Sequence, residues 1–116
     1  MKYMLMFCRD EGAGPSWEQM SPEAQAQLGG QIGRWHAENA SRIIDKGHRL
    51  GASSMATTVR HKEGGAIVTD GPFVEGKEVV SGYVIADVPD LDDALRLAKT
   101  FPACSTVEIR PLTDQP

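Results

Sequence analysis

Two segments rich in strand-forming residues, at positions 3–8 and 79–88, constrain the fold most because each is apolar on both faces. Successive side chains of a strand point to opposite faces of its sheet, so a strand with one solvated face alternates apolar and polar residues. These two strands therefore need cover on both sides. Gly82 predicts a bulge or the close approach of another backbone. Strict alternation would place on one face Val80, Gly82, Val84, Ala86 and Val88.

Two helices are predicted between the strands. Ser21 is a favourable N-cap before Pro22, and the pattern predicts a helix from about 22 to 46 that Gly47 ends. Asp90 caps a second helix that runs to about Thr100. The apolar positions of the first helix, at a 3.6-residue period, are Leu28, Ile32, Trp35, Ala40, Ile43 and Ile44. Those of the second are Leu91, Ala94, Leu95, Ala98 and Phe101.

The remaining segments complete an alternating order of strands and helices. Residues 57–61 and 66–69 flank a Gly-containing turn and predict a β-hairpin, and residues 106–110 predict a last strand. The order β-α-β-hairpin-β-α-β predicts an α+β fold of the ferredoxin-like split βαβ plan, with an antiparallel sheet and two helices on one face. The uncovered face then predicts a homodimer that closes face to face with C2 symmetry.

Composition limits the classes of function. The chain has 116 residues, 41% hydrophobic and 24% charged, which is typical of a single globular domain over 1–116. A net charge of −4 without a basic cluster argues against direct nucleic-acid binding. No apolar run approaches the roughly 20 residues of a membrane span, and a strand begins close to Met1, so a cytoplasmic protein is expected. Cys8 and Cys104 lack a CxxC or histidine neighbour and are expected to be buried free thiols.

The turn Asp70-Gly71-Pro72-Phe73 is the most specific local motif. Glycine accepts a positive φ, the Asp70 carboxylate can bond nearby backbone N–H groups, and Pro72 fixes the direction of Phe73. Such a turn either lines a pocket or simply connects a hairpin to the following strand. The polar loop 9–21 is long enough to cover a pocket, and loops of this length are often functional.

Asp70 and His36 are the candidate catalytic residues. Asp70 would act as a general acid or base if burial raised its pKa, and otherwise forms an Asx turn. His36 lies beside Trp35 and either exchanges protons near neutral pH or is a structural residue at the margin of the core.

Four further residues are candidates for binding a substrate: Phe73, Glu75, Tyr83 and Arg9. The alternatives are a solvated charge cluster with Lys77 for Glu75, a core position for Tyr83, and a surface ion pair with Asp10 for Arg9. The three histidines lack metal-ligand spacing, and no nucleotide-binding loop or nucleophile elbow is present. Neither a metal nor a cofactor is therefore expected.

Several segments resemble the DGPF branch of the YCII-related proteins, and the resemblance extends over nearly the whole chain. It is carried by residues 1–4, 68–78, 82–83, 90–94 and 107–111. It implies a dimeric α+β barrel of two ferredoxin-like chains. A related YCII-like protein is associated with dehydrochlorination of a chlorinated hydroxyquinol, and DGPF proteins are commonly associated with extracytoplasmic-function sigma factors. Of the His–Asp pair proposed for some YCII-like proteins, only the aspartate has a match here, at Asp70.

Two functions are compatible with these residues. The first is acid/base chemistry, of the dehydrochlorinase-like lyase type, on a small polar or aromatic molecule. It would use Asp70 and His36 in a pocket near the DGPF turn that loop 9–21 covers. The second is a non-enzymatic accessory or regulatory protein associated with a sigma factor, in which the DGPF turn is architectural.

Overall fold

A computed structural model describes residues 1–114, which form six strands, two α-helices and two short 3₁₀ helices. No helix in this part of the chain has both the length and the apolar character needed to cross a membrane. The 3₁₀ helices are Trp17–Gln19 and Ser53–Met55. The other elements are β1 (Lys2–Asp10), α1 (Pro22–Glu38), β2 (Ile43–Asp45), β3 (Thr57–Lys62), β4 (Gly65–Asp70), β5 (Glu78–Asp87), α2 (Leu91–Thr100) and β6 (Thr106–Pro111).

Four strands form one antiparallel sheet in the order β2-β5-β1-β6. The two βαβ units are β1-α1-β2 and β5-α2-β6. Every strand lies beside an antiparallel strand of the other unit, as the split βαβ plan requires. The molecule measures 50 × 41 × 18 Å, and its thin dimension matches one sheet under one layer of helices. The predicted α+β, ferredoxin-like arrangement is confirmed.

The core lies between the sheet and the two helices. Alternate residues of β1, Tyr3, Leu5 and Phe7, are buried together with Trp35 of α1. The indole Nε1 of Trp35 donates hydrogen bonds to the Leu97 carbonyl (3.2 Å) and to the Thr100 hydroxyl (3.1 Å). Trp35 therefore joins α1 to α2 by polar contacts inside an apolar core, where an unpaired indole N–H would be costly.

The opposite face of the sheet carries no helix of the described chain. Because Tyr3, Leu5 and Phe7 face the helices, Met4 and Met6 point the other way, and their partners on β5, Ile85 and Tyr83, share that face. Cys8 lies on it as well, as a half-buried free thiol. We call the surface formed by Met4, Met6, Cys8, Tyr83 and Ile85 the open face.

The prediction that α1 continues to residue 46 is wrong, because α1 ends at Glu38. The side chain of Asn39 donates to the Trp35 carbonyl (2.8 Å), and a turn follows in which the Ile43 N–H returns to the Asn39 carbonyl (3.1 Å). Ile43 then pairs with β5 as part of β2 and packs against the core. The β-branched side chains of positions 43 and 44 suit a strand, and their spacing also matched a helix. Ala40, the other residue assigned to the apolar face of α1 beyond its end, is exposed.

Two assigned burial positions are also wrong. Leu91, the first residue of α2, was assigned to the buried stripe but is 50% exposed. Leu97, which was not assigned to that stripe, is buried.

The second position lies in β5. Phe7 pairs with Gly82 but Cys8 pairs with Val80, which leaves Ser81 as the extra residue of a bulge in β5. The bulge lies at Ser81, next to Gly82, where a bulge or a close backbone approach was predicted, and it moves Val80 to the side of the open face.

The predicted hairpin is confirmed and stands apart from the main sheet. β3 and β4 pair only with each other, with Val59 opposite Val68. All six residues of β4 are exposed. An isolated two-stranded ribbon is only marginally stable in water. Contacts at its base support it, among them the Thr58 hydroxyl donating to the Gly71 carbonyl (2.6 Å).

Candidate functional site

A cavity of about 220 Å³ lies beside the bulge of β5, at the end of β1. Its walls come from three regions, which we call the floor, the roof loop and the edge segment. The floor is the helix-facing side of the sheet and α1, with Phe7, Val84, Leu28, Ile32 and Phe101. The roof loop is residues 11–20, and the edge segment is residues 46–52. Mostly apolar walls with a few polar groups are typical of small-molecule sites.

Local hydrogen bonds give the roof loop its shape. Ser16 caps the first 3₁₀ helix: its hydroxyl accepts from the Gln19 N–H (3.3 Å), and the Gln19 side chain accepts from the Ser16 N–H (2.9 Å). The Gln25 side chain of α1 donates to the Trp17 carbonyl (2.8 Å). The guanidinium of Arg9 donates to the Gly14 carbonyl (2.9 Å). These contacts hold the Trp17 side chain at the cavity.

The edge segment is held by backbone pairing with β5. The Tyr83 N–H donates to the His48 carbonyl (3.3 Å), and the Leu50 N–H donates to the Ser81 carbonyl (2.8 Å). At position 82 a Cβ would lie 3.2 Å from the His48 carbonyl oxygen, so glycine permits this close approach. Both features expected of Gly82, a bulge and a nearby backbone, are therefore present at the cavity wall.

Gly47 allows the edge segment to approach β5 closely. Its φ is +63°, and a Cβ there would lie 1.7 Å from the Tyr83 carbonyl oxygen. The residue was expected to end a helix, and in the structure it instead lets the backbone run beside β5. Only glycine meets both the conformation and the contact without strain.

Two side-chain contacts join the roof loop to the opposite wall. Glu18 accepts a hydrogen bond from Arg49 (2.6 Å), whose guanidinium carbon lies 5.7 Å from the Trp17 ring centroid. Glu11 accepts hydrogen bonds from the Ser53 N–H (3.2 Å) and the Ser53 hydroxyl. The bonds from Ser53 lower the pKa of Glu11, and the bond from Arg49 lowers the pKa of Glu18. Both carboxylates are therefore ionised at neutral pH.

Two of the predicted binding residues line the cavity: Arg9 and Tyr83. Arg9 is half-buried beside the roof loop. The backbone of Tyr83 pairs with the edge segment, and its side chain shares the open face with Met6.

Phe73 and Glu75 lie away from this cavity. Phe73 is 73% exposed and lines a second, more open groove of about 630 Å³ with Pro72, Val74 and Met55. Glu75 is exposed in the loop between β4 and β5. The DGPF turn thus borders the groove, which meets the cavity along residues 50–52 and 79–80.

The structure does not bring the two candidate catalytic residues together. Asp70 is exposed at the end of β4, opposite Thr57, and no hydrogen bond or ion pair of the described residues joins it to His36. His36 lies edge-on to Trp35, with 5.0 Å between ring centroids. Burial lowers the pKa of His36, and the positive charge of Lys46 lowers it further. Its Nδ1 is buried, without a hydrogen-bond partner in residues 1–114.

Several cavity residues were not identified from the sequence, notably Glu11, Trp17, Lys46 and Arg49. The capping pattern of Ser16 and Gln19 was a local signal for an ordered roof loop. The contact of Glu18 with Arg49 had no local signal, because those residues are 31 positions apart. Over residues 1–114 no cluster of three His, Cys, Asp or Glu side chains is arranged to hold a metal ion.

Comparisons with known proteins cover almost the whole chain. The sequence matches the YCII-related domain over residues 1–115. It is 31% identical over 116 residues to an uncharacterized protein of Rhizobium meliloti (strain 1021), with 97% of this chain and 92% of that protein covered. The chain therefore belongs to the YCII-related domain family.

Proposed function

We propose that this protein binds a small molecule in the cavity beneath the roof loop. The observation that carries the proposal is the apolar floor under a loop that is tied to the opposite wall by side chains. Phe7 and Ile32 supply apolar surface, and the contacts Glu18–Arg49 and Glu11–Ser53 close the cavity above them. A volume of about 220 Å³ favours a compact ligand, since the pockets of drug-sized ligands are larger.

Filling the cavity tests the proposal. Ile32→Trp places a larger side chain in the floor and should abolish the binding of small aromatic molecules. NMR chemical-shift changes of cavity residues measure this binding. The matched control is Ile67→Trp on the exposed strand β4, which should bind like the wild type. The proposal fails if Ile32→Trp binds unchanged, or if small aromatic molecules shift no cavity resonance.

Acid/base chemistry is the finer part of the proposal. In this scheme Asp70 and His36 exchange protons with a small polar or aromatic substrate, as in a dehydrochlorinase-like lyase. The lowered pKa of His36 supports it, because a neutral imidazole can accept a proton at pH 7. The scheme requires one substrate to contact both side chains, which no hydrogen bond or ion pair of the described residues joins. With a chlorinated hydroxyquinol as substrate, Asp70→Asn and His36→Gln should each abolish turnover while the fold persists.

A cytoplasmic homodimer is part of the same proposal. The open face offers Met4, Met6 and Ile85, apolar side chains that no helix of the described chain covers. Two such faces packed together would give the dimeric α+β barrel that the resemblance implies. The free thiols Cys8 and Cys104 agree with a reducing compartment.

The second candidate function is that of an accessory or regulatory protein associated with an extracytoplasmic-function sigma factor. The exposed apolar side chains of the hairpin and DGPF turn favour it: Val68 is 63% and Phe73 is 73% exposed. Binding of a purified sigma factor, measured by titration, should then be weakened by Val68→Asp. Small-molecule binding in the cavity should be unaffected by the same variant.

A further inference from the structure

The charged side chains that line the cavity carry a net positive charge, whereas the net charge of the whole protein is negative. The chain has a net charge of −4. The cavity is lined by three cationic side chains, Arg9, Lys46 and Arg49, and by two carboxylates, Glu11 and Glu18. A cationic excess in a small concave site concentrates anions there even when the net charge of the protein is negative.

Both carboxylates already have partners. Each oxygen of Glu11 accepts a hydrogen bond from Ser53, and Glu18 is bonded to Arg49. These partners hold both carboxylates in place at the cavity wall, and the Arg49 guanidinium pairs with the charge of Glu18. Arg49 differs from the other two cations because its charge is paired with Glu18 in a salt bridge and its guanidinium lies over the face of the Trp17 ring.

Arg9 and Lys46 are left as the cavity cations without a salt bridge, and the charge of Arg9 also acts on Glu11, whose pKa it helps to lower. Over residues 1–114 neither forms a salt bridge with a carboxylate. The one hydrogen bond of the Arg9 side chain in this part of the chain goes to the Gly14 carbonyl. A guanidinium has five N–H donors in a planar fork, so Arg9 keeps donors for a ligand. That fork matches the two oxygens of a carboxylate.

We propose that the cavity selects small aromatic carboxylates, with Arg9 binding the carboxylate, Lys46 adding positive charge to the cavity wall, and the apolar floor binding the ring. This inference rests on the proposed function of the cavity and adds the charge of the ligand to it. Phe7, Ile32 and Phe101 supply the apolar surface. Partial burial of Arg9 strengthens its attraction for an anion, because screening by water is weaker there.

Benzoate and benzamide test this selection because they have nearly the same shape and differ in charge. Isothermal titration of the wild-type protein should show benzoate binding about tenfold more tightly than benzamide, the ratio expected of one charge-assisted hydrogen bond. Arg9→Gln and Lys46→Gln should each reduce the affinity for benzoate toward that for benzamide, and Arg9→Lys should keep part of the preference. Lys62→Gln, on the exposed hairpin, is the matched control and should keep it all.

Each result is decisive. Equal binding of the two ligands to the wild type would overturn the charge selection and leave the proposed binding function intact. Binding of neither ligand to the cavity would overturn the proposed function and this inference together. A benzoate preference that survives both Arg9→Gln and Lys46→Gln, with melting temperatures unchanged, would overturn the assignment of these cations.

Discussion

The guanidinium of Arg49 lies 2.6 Å from the carboxylate of Glu18, although the two residues are 31 positions apart in the chain. The pair connects the edge segment to the roof loop across the mouth of the cavity. Both side chains are more than half exposed, so the pair contributes little to the stability of the whole fold. Its effect is local: it sets how firmly the roof is closed.

Arg49→Gln should therefore loosen the roof loop without unfolding the protein. We expect faster acrylamide quenching of Trp17 fluorescence and faster release of a cavity ligand, at an unchanged melting temperature. Trp35 is 3% exposed and contributes little to quenching. Arg34→Gln, on the exposed side of α1, is the control and should leave quenching unaltered. Equal quenching of Arg49→Gln and wild type would show that other contacts hold the roof.

Acidification should open the same loop. Hydrogen bonds lower the pKa of Glu11 and of Glu18 below the ordinary value of 4.5. A carboxyl group with a lowered pKa in the folded state stabilises that state above its unfolded pKa, and this contribution is lost as pH falls through the lowered pKa. Trp17 quenching should thus be constant near neutral pH and rise below 4.5. The double variant Glu11→Gln, Glu18→Gln should show no such rise, and a rise that persists in it would assign the transition to other groups.

Gly47→Ala should destabilise the fold by at least about 2 kcal/mol, because a left-handed φ and a clash with a carbonyl oxygen add together. The clash is with the Tyr83 carbonyl, 1.7 Å from the new Cβ. Gly30→Ala is the matched control: nothing lies within 4 Å of its Cβ, and a helical alanine should stabilise α1 by about 0.8–1 kcal/mol. Urea unfolding measures both changes. Similar midpoints for the two variants would contradict the close contact at position 47.

Trp35→Phe should lower the free energy of unfolding by about 1–3 kcal/mol, from lost packing and two lost hydrogen bonds. The indole N–H bonds Leu97 and Thr100 on the other helix. Trp17→Phe makes the same chemical change in the half-buried roof loop and should leave thermal unfolding nearly unchanged. If the two variants melt alike, the Trp35 contacts do not stabilise the core as described.

Ile85→Glu should convert a homodimer to a folded monomer, because it places a charge in the centre of the open face. Sedimentation velocity at micromolar concentration measures the change, and circular dichroism checks that the fold persists. Leu91→Glu, at a 50% exposed position on α2, should remain dimeric. A wild-type protein that sediments as a folded monomer would remove the proposed dimer.

Apart from β2, which falls inside the segment predicted as the first helix, the strands and the hairpin were predictable because their signals are local. The apolar run 3–8 identifies β1 as a strand covered on both faces, and the Gly-containing turn identifies the hairpin. The end of α1 was not predictable in this way. Ile43 and Ile44 suit a helix period and a strand equally, and pairing of Ile43 with β5 decides between them.

The site was less predictable than the fold. The length of loop 9–21 indicated a covered pocket, and such a cavity is present. The motif most specific in sequence, Asp70 to Phe73, borders an open groove, and the cavity is built mostly from residues outside any motif, although Arg9 and Tyr83 were among the predicted binding residues. Contacts such as Glu11 with Ser53 join distant parts of the chain, so they follow from the topology and leave no pattern in the sequence.

The bulge at Ser81 gives β5 two alternation phases, which matters for redesign. Beyond the bulge Val79 pairs with Arg9 and turns toward the helix side, whereas Val80 pairs with Cys8 and turns toward the open face. Neighbouring side chains of β5 therefore face different surfaces of the molecule. Variation at position 79 should change the ligand preference of the cavity, whereas variation at position 80, which borders the cavity as well, should also change the proposed self-association.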